Sequence, residues 1–389
     1  MDPLLRGEQA VLGAVLLDPP QLGYLDWLEP RDFYRPAHQA IFAAMRTLRA
    51  VGLPTLTAEG EVPLAWLTDT FTEAGKHVRG LTASYQHTLI AACPQPARAP
   101  IYGRMVLEGS IHRTVAEHAT RLLSVADEGA RQHTAEGTIA QADILAGVLA
   151  DLARRWGTHP RPQAPPASPP AVIAPPPTPA QEDEQFLLAL LVHQDGAIEG
   201  VFDWLRPGDF ADPRHGQLYR CLGALHHRGE PIDPVTTLWE VQRRGLLAQG
   251  ALTEEHLAFV LGSGVAGSAE WLGEQVLSGS VNRTASAAAQ QIVAQTDDDR
   301  LAPGQLINQA LHALGPVDDV RARWSRAVRQ PTPESQPEPD HSTRVHAALT
   351  RSTAQATIRA LPSLRSAMAT EAAPHQGRGP ATASPRNHP

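Results

Sequence analysis

Lysine is almost absent from this sequence of 389 residues. Lys76 is the only one, and every other strongly basic side chain is an arginine. A Walker-type phosphate-binding loop needs Gly-x-x-x-x-Gly-Lys-Ser/Thr, because its lysine neutralises the β- and γ-phosphates and its hydroxyl binds Mg²⁺. Thr70 stands where the first glycine of such a loop belongs, and His77 follows the lysine. The sequence therefore contains no Walker motif.

Cysteines and long apolar segments are also scarce. The two cysteines, Cys93 and Cys221, are too few and too far apart in sequence for a disulfide framework or a four-ligand zinc site. The longest apolar runs, residues 10–17 and 186–192, are well short of the ~20 residues of a membrane-spanning helix. Acidic residues near the N-terminus argue against a signal peptide, so we expect a cytoplasmic protein with no membrane partner.

Charge is distributed unevenly along the chain, whose formal net charge is −8. Residues 1–157 hold 14 basic and 17 acidic side chains, and residues 182–329 hold 12 and 20. Of these two regions and the C-terminal region, only residues 330–389 are positive, with six basic against four acidic side chains. Because DNA affinity grows with the number of phosphates neutralised, we expect DNA to be bound only indirectly or weakly.

Two regions of biased composition divide the chain. Residues 158–181 are rich in proline, which fixes φ and removes a hydrogen-bond donor, so we interpret them as a semi-rigid linker. Residues 330–389 are rich in Pro, Ser, Thr and Ala and are predicted to be a disordered tail. Within it, residues 341–368 combine arginines with spaced apolar residues, which suits either a solvated segment or one that folds on a partner.

The regions on either side of the linker repeat each other. Residues 26–38 read DWLEPRDFYRPAH and residues 203–215 read DWLRPGDFADPRH, with eight of thirteen positions identical at an offset of 177. Further along, residues 106–114 (VLEGSIHRT) match residues 276–284 (VLSGSVNRT) at an offset of 170. The chain is therefore a tandem duplication, in which copy one is residues 1–157 and copy two is residues 182–329.

Both copies have helical patterns and lack alternating strand patterns. Proline at the first helical position predicts helices starting at Pro36 and Pro213, with Asp212 a good N-cap and Arg35 a poor one. Two longer helical stretches close each copy, at 101–126 and 140–156 in copy one and at 271–295 and 303–314 in copy two. We therefore predict an all-α protein with two similar helical bundles, each ending in a helical hairpin.

The repeated pattern resembles the N-terminal domain of DnaB-type replicative DNA helicases. The resemblance rests on Glu-Gln, then Leu-x-Pro-x-Asp-Phe, Pro-x-His and a helix that ends in Gly-x-Pro, and it covers about 280 residues as two copies. Copy one departs from it after Thr55, where the next helix of the family is predicted to be shortened. The family's fold implies a helical bundle with a hairpin that assembles a ring collar and docks primase. The RecA-like ATPase that follows in the family has no motif in this sequence.

The resemblance singles out ten motif residues as structural or partner-facing. They are Asp32, Phe33, Pro36, His38 and Arg113 in copy one, and Asp209, Phe210, Pro213, His215 and Arg283 in copy two. We expect each aspartate to cap a short helix, each phenylalanine ring to fill the core, and each histidine to satisfy backbone groups or pack at the bundle edge. The 17 histidines show no chelating spacing, so we expect no catalytic, cofactor-binding or metal-binding residues.

These observations predict a non-catalytic scaffold of the DNA replication machinery. The resemblance implies primase and replicative helicase as partners, and self-association or intramolecular pairing of the two copies through their hairpins. The alternative is a nucleic-acid-binding or regulatory protein that acts through the arginines of the tail. A true helicase subunit is a third hypothesis, against which the missing Walker motif argues.

Overall fold

The computed structural model describes residues 2–52, 64–164, 178–262 and 266–329, and in these ranges the chain is helical without strands. The prediction of an all-α fold is confirmed. The described part of copy one contains α1 (Pro3–Leu17), α2 (Pro36–Ala50), α3 (Leu64–Gly75), α4 (Ala83–Ala92), α5 (Ala99–Gln132) and α6 (Glu136–Trp156). The described part of copy two contains α7 (Thr178–His193), α8 (Glu199–Phe202), α9 (Pro213–His227), α10 (Pro234–Arg243), α11 (Glu254–Gly262), α12 (Ala269–Thr296) and α13 (Pro303–Arg329).

Three predicted features lie wholly or partly outside the described residues. These are the shortened helix after Thr55, the tail of residues 330–389, and residues 165–177 of the predicted linker. The start of that linker lies along α13, where the backbone N–H of Gln163 donates to the carbonyl oxygen of Asn308 at 3.0 Å. The predicted linker also overlaps α7, whose first residue is Thr178.

The motif helices α2 and α9 begin at the two predicted prolines. Pro36 and Pro213 occupy the first helical position, where a missing N–H costs little. The side chain of Asp212 caps α9 by accepting a hydrogen bond from the Arg214 N–H at 2.9 Å. Arg35 makes no such bond at the start of α2, as its side chain has no acceptor.

Helix α13 is longer than the sequence predicts. The expected end at residue 314 is wrong, because the helix continues through Pro316 to Arg329. An internal proline costs about 3 kcal/mol. The residues after it repay that cost, since Val317, Val320 and Ala327 are all buried. The other three predicted hairpin helices lie inside α5, α6 and α12.

The two hairpins share one hydrophobic core. Helix α5 packs on α12, and α6 packs on α13. Fully buried side chains from all four helices join a single cluster, among them Leu122 of α5, Leu149 of α6, Ile292 of α12 and Leu306 of α13. Burying such a side chain contributes about 1.5–3 kcal/mol. The two copies are therefore packed against each other by the folding of one chain.

The bundles sit beside their own hairpins. Helix α1 packs on α4 and α5, and α7 packs on α9, α11 and α12. A glycine in each hairpin helix makes room for the motif tryptophan: a Cβ on Gly103 would lie 3.1 Å from the Trp27 ring, and one on Gly273 would lie 2.6 Å from the Trp204 ring. None of the helices in the described ranges has the length and apolar character that crossing a membrane demands.

Candidate interaction site at the repeated motif

The motif carboxylate of copy one is fully buried at the end of a short 3₁₀ turn. Asp32 Oδ2 accepts a hydrogen bond from the Glu29 N–H at 2.7 Å, and Oδ1 accepts one from Ser110 Oγ at 3.0 Å. Arg155 of α6 donates to Oδ2 at 2.5 Å, and Arg113 of α5 donates to the backbone carbonyl at 2.6 Å. The turn is thus fastened to both helices of its hairpin.

Copy two repeats this network group for group. Asp209 Oδ2 accepts from the Arg206 N–H at 2.7 Å, and Oδ1 accepts from Ser280 Oγ at 2.8 Å. Arg323 of α13 pairs with the carboxylate, and Arg283 of α12 donates to the backbone carbonyl. A buried carboxylate is tolerated only when it is paired and hydrogen-bonded, as both are here.

In copy one, a buried pair of Glu8 and His38 joins α1 to α2. The Glu8 carboxylate accepts a hydrogen bond from the Tyr34 N–H, and its Oε2 lies 2.6 Å from His38 Nδ1. The other ring nitrogen, Nε2, lies 2.6 Å from the hydroxyl of Tyr85 on α4. One imidazole thus connects three helices of the bundle.

Copy two holds the matching histidine in the same way. His215 Nδ1 lies 2.7 Å from Glu184 Oε2, and Glu184 Oε1 accepts from the Ala211 N–H at 2.5 Å. His38 and His215 are both buried. Neither satisfies backbone groups or sits at the bundle edge as predicted, because each bonds a buried glutamate from the first helix of its copy.

The motif phenylalanines fill the two bundle cores. Phe33 lies 4.9 Å from Phe42 between ring centroids, and Phe210 lies 5.1 Å from Tyr219.

Burial lowers the pKa of Arg113 and Arg283, and carboxylates near each guanidinium oppose that shift. Arginines held in this environment position the turn against the hairpin.

The hairpins exchange matched polar contacts across the shared core. His112 Nε2 of α5 lies 3.0 Å from the Leu301 carbonyl oxygen at the turn of the second hairpin. Asn282, at the same position of α12, donates to the Thr134 carbonyl at 3.0 Å and accepts from Thr138 Oγ1 at 2.6 Å, at the turn of the first hairpin. One helix of each hairpin, α5 or α12, thus makes polar contacts with the turn of the other copy's hairpin.

The described residues place no reactive group in these networks. In the part of the chain that the structure describes, no cluster of three or more His, Cys, Asp or Glu is arranged to hold a metal ion. Burial raises the pKa of Cys221 to about 11 and also raises that of Cys93, which favours the protonated form of each thiol. The arrangement fixes the 3₁₀ turn of each copy against its own hairpin.

Sequence reasoning missed half of each network. The missed members are Glu8, Ser110 and Arg155 in copy one, and Glu184, Ser280 and Arg323 in copy two. The serines lie inside the repeated block, and Glu-Gln repeats near both N-termini. The arginines share the spacing Asp-x-x-x-Arg, at Asp151 and Asp319, which is the signal that could have identified them.

Comparison with known families agrees with this geometry. The model of the family described as "DnaB-like helicase N terminal domain" matches residues 4–108 and 177–262. Each match contains one Glu–His pair and one motif aspartate, and the first reaches into α5. The matched segments are separated by the remainder of the copy-one hairpin and the proline-rich region.

Several curated relatives are replicative helicases. The replicative DNA helicase DnaB of Geobacillus stearothermophilus is 38% identical over 130 residues, 32% of this chain and 26% of that protein. The replicative DNA helicase DnaC of Bacillus subtilis is 35% identical over 160 residues, 40% of this chain and 32% of that protein. The chain thus spans about a quarter to a third of the length of these relatives. Residues 4–108 and 177–262 are therefore tandem members of the DnaB-like helicase N-terminal domain family.

Proposed function

We propose that this protein is a non-catalytic interaction scaffold of DNA replication, which presents two helicase-collar domains already paired on one chain. Residues 1–157 and 182–329 are the two domains, and residues 158–181 are the tether. The observation that carries this proposal is the packing of α5 on α12 and of α6 on α13 into one core. The family match to helicase N-terminal domains supports the replication role.

Pairing within one chain changes how the domains meet a partner. A tether holds the second copy at an effective concentration on the order of mM, so the pair does not depend on the protein's own concentration. Such a pair would imitate two neighbouring subunits of a collar. We propose primase and the replicative helicase ring as its partners.

An exposed apolar stripe on α10 gives such a partner a surface. Val235, Leu238 and Trp239 recur at i, i+3 and i+4, and the Trp239 side chain is 67% exposed. Exposed apolar clusters of this kind mark interaction sites. Copy one contributes a comparably exposed aromatic residue outside any such stripe, since Tyr24 is 66% exposed.

The test is binding of the full chain to purified primase and to purified replicative helicase, measured separately by size-exclusion chromatography and calorimetry. We expect a complex with at least one of them, weakened at least tenfold by Trp239→Ala and unchanged by the control Tyr24→Ala. Binding to neither partner would remove the replication role. A salt-sensitive gel shift with DNA, without protein partners, would instead favour the nucleic-acid-binding alternative.

A further inference from the structure

A groove opens above the motif carboxylate of copy one. It has a volume of about 640 Å³ and lies between the 3₁₀ turn, α5 and α6. Its walls combine arginines with apolar side chains, including Tyr34, Ile144 and Val148. Two of these are well exposed to solvent, Tyr34 at 64% and Ile144 at 51%. The groove is therefore open to a ligand that is partly apolar.

Two side chains that line this groove keep a buried nitrogen without a hydrogen-bond partner among the described residues. They are Arg113, at Nη1, and His118, at Nδ1. The Arg113 guanidinium carbon also lies 5.4 Å from the centre of the Tyr34 ring. Leaving a charged donor buried and unpaired costs more than the 1–3 kcal/mol of a neutral group. An acceptor in the groove that bonds this nitrogen would recover that cost.

The matching position in copy two is closed by an ion pair. Arg206 Nη1 lies 3.0 Å from Asp319 Oδ2 and so links the 3₁₀ turn to α13. The equivalent residues of copy one are Glu29 and Asp151, whose like charges cannot form that link. Asp151 pairs instead with Arg154 on its own helix, at 3.1 Å. Copy one therefore does not form the ion pair that spans this position in copy two.

The charges around the groove favour a single carboxylate over a polyanion. Three arginines line it (Arg31, Arg113 and Arg155), together with three acids (Asp32, Glu117 and Asp151). The formal sum of these charges is zero, so the groove offers no net attraction to a nucleic-acid backbone. One guanidinium nitrogen without a partner matches one acceptor group, and a carboxylate forms the stronger, charge-assisted bond.

We propose that this groove binds an acidic peptide segment, in which one carboxylate bonds Arg113 while flanking apolar side chains contact Tyr34 and Ile144. The site belongs to copy one alone. Peptide binding in this groove is independent of primase or helicase binding. A negative result for one proposal therefore does not refute the other.

The fold supplies a blocking variant and a matched control. Gly147 of α6 lines the groove, and a Cβ built on it meets no atom within 4 Å. Gly315 occupies the same place in α13, and it too has open space around a Cβ. Gly147→Leu therefore adds an apolar side chain at the wall of the groove, where a Cβ meets no neighbour, and Gly315→Leu makes the same change at the matching position of copy two.

The experiment is an NMR titration of the full chain with ¹⁵N-labelled arginine, following the Arg113 side-chain Nε–H signal. The probes are the peptide acetyl-Ala-Leu-Glu-Leu-Ala-amide, its Gln analogue, inorganic phosphate and a ten-nucleotide oligo-dT. We expect saturable shifts with the Glu peptide and at least tenfold weaker binding of the Gln analogue. Arg113→Gln should weaken Glu-peptide binding, followed through backbone amides of α5 and α6.

The glycine variants decide whether the groove is the site. Gly147→Leu should abolish the shift, and Gly315→Leu should leave it unchanged. Equal binding of the Gln peptide, insensitivity to Gly147→Leu, or shifts produced only by phosphate or by oligo-dT would each overturn the proposal.

Discussion

The two copies hold the same carboxylate in the same turn, yet they differ in how firmly that turn is closed. In copy two, Arg323 is 4% exposed and joins Asp209 to Asp319, while Arg206 crosses to Asp319 from the turn. In copy one, Arg155 is 15% exposed and contacts Asp32 alone. In copy two, two ion pairs therefore link the turn to α13. In copy one, a single ion pair links the turn to α6, and the groove beside it is accessible. The two copies have therefore diverged in how tightly the same turn is fixed.

The largest expected effect comes from removing the buried arginines. Arg323→Met leaves Asp209 buried and unpaired, which should lower the free energy of unfolding by about 3–5 kcal/mol. Arg155→Met should cost less, because Arg155 is more exposed than Arg323 and water can replace it more easily beside the carboxylate. Urea unfolding of both variants measures the difference. An equal or reversed order would contradict the view that copy two is the more tightly closed half.

The shared hairpin core should make the copies depend on each other. Leu122 is fully buried in that core, so Leu122→Ala should cost about 2–5 kcal/mol. Because α12 packs on α5, hydrogen exchange should accelerate in both helices. Leu222, buried in the core of the second bundle, provides the control, and Leu222→Ala should spare α6. Faster exchange in α5 without any change in α12 would show that the hairpins are not coupled.

The glycines under the motif tryptophans offer a smaller contrast. A Cβ at Gly273 would lie 2.6 Å from the Trp204 ring, whereas one at Gly103 would lie 2.9 Å from Leu25. Overpacking of this kind costs about 1–3 kcal/mol. Thermal unfolding should show a larger loss for Gly273→Ala than for Gly103→Ala. If Gly103→Ala proved the more costly change, the tighter packing of copy two would be disproved.

The smallest effect concerns the helix caps. Asp212→Ala should cost about 1 kcal/mol, and Arg35→Asp should gain a similar amount by giving α2 the cap that it lacks. Burial would raise the pKa of Asp212, but hydrogen bonds from Arg214 outweigh it and the pKa is lowered. The stability from this shift is therefore present above a pH of about 4 and lost as the pH falls below it. Unfolding measured at pH 7 and pH 3 should show the Asp212→Ala penalty shrinking in acid.

The local architecture was readable from the sequence because it depends on nearby residues. Proline at helix starts, glycine after them and apolar spacing predict α2, α9 and most of the hairpin helices. The end of α13 was not predicted, because only tertiary burial of Val320 and Ala327 compensates for the internal Pro316. Local sequence signals do not show whether the residues after Pro316 will be buried in the folded chain.

The site was readable only in part. The repeat identified Asp32 and Asp209, but their partners Arg155 and Arg323 come from 123 and 114 residues away. Such partners are defined by packing and not by spacing. The groove was also hidden, because its lining comes from a turn and helices that are distant in sequence.

The central claim is that the two copies pair within one chain, and a single engineered cross-link tests it directly. Asp127 Oδ1 of α5 and Ser286 Oγ of α12 lie 3.3 Å apart at the exposed edge of the hairpin contact. The double variant Asp127→Cys, Ser286→Cys, in a background with Cys93→Ser, should lose both engineered thiols on oxidation and still run as one chain of 41.8 kDa on a non-reducing gel. A disulfide-linked dimer, or no cross-link at all, would contradict pairing within one chain.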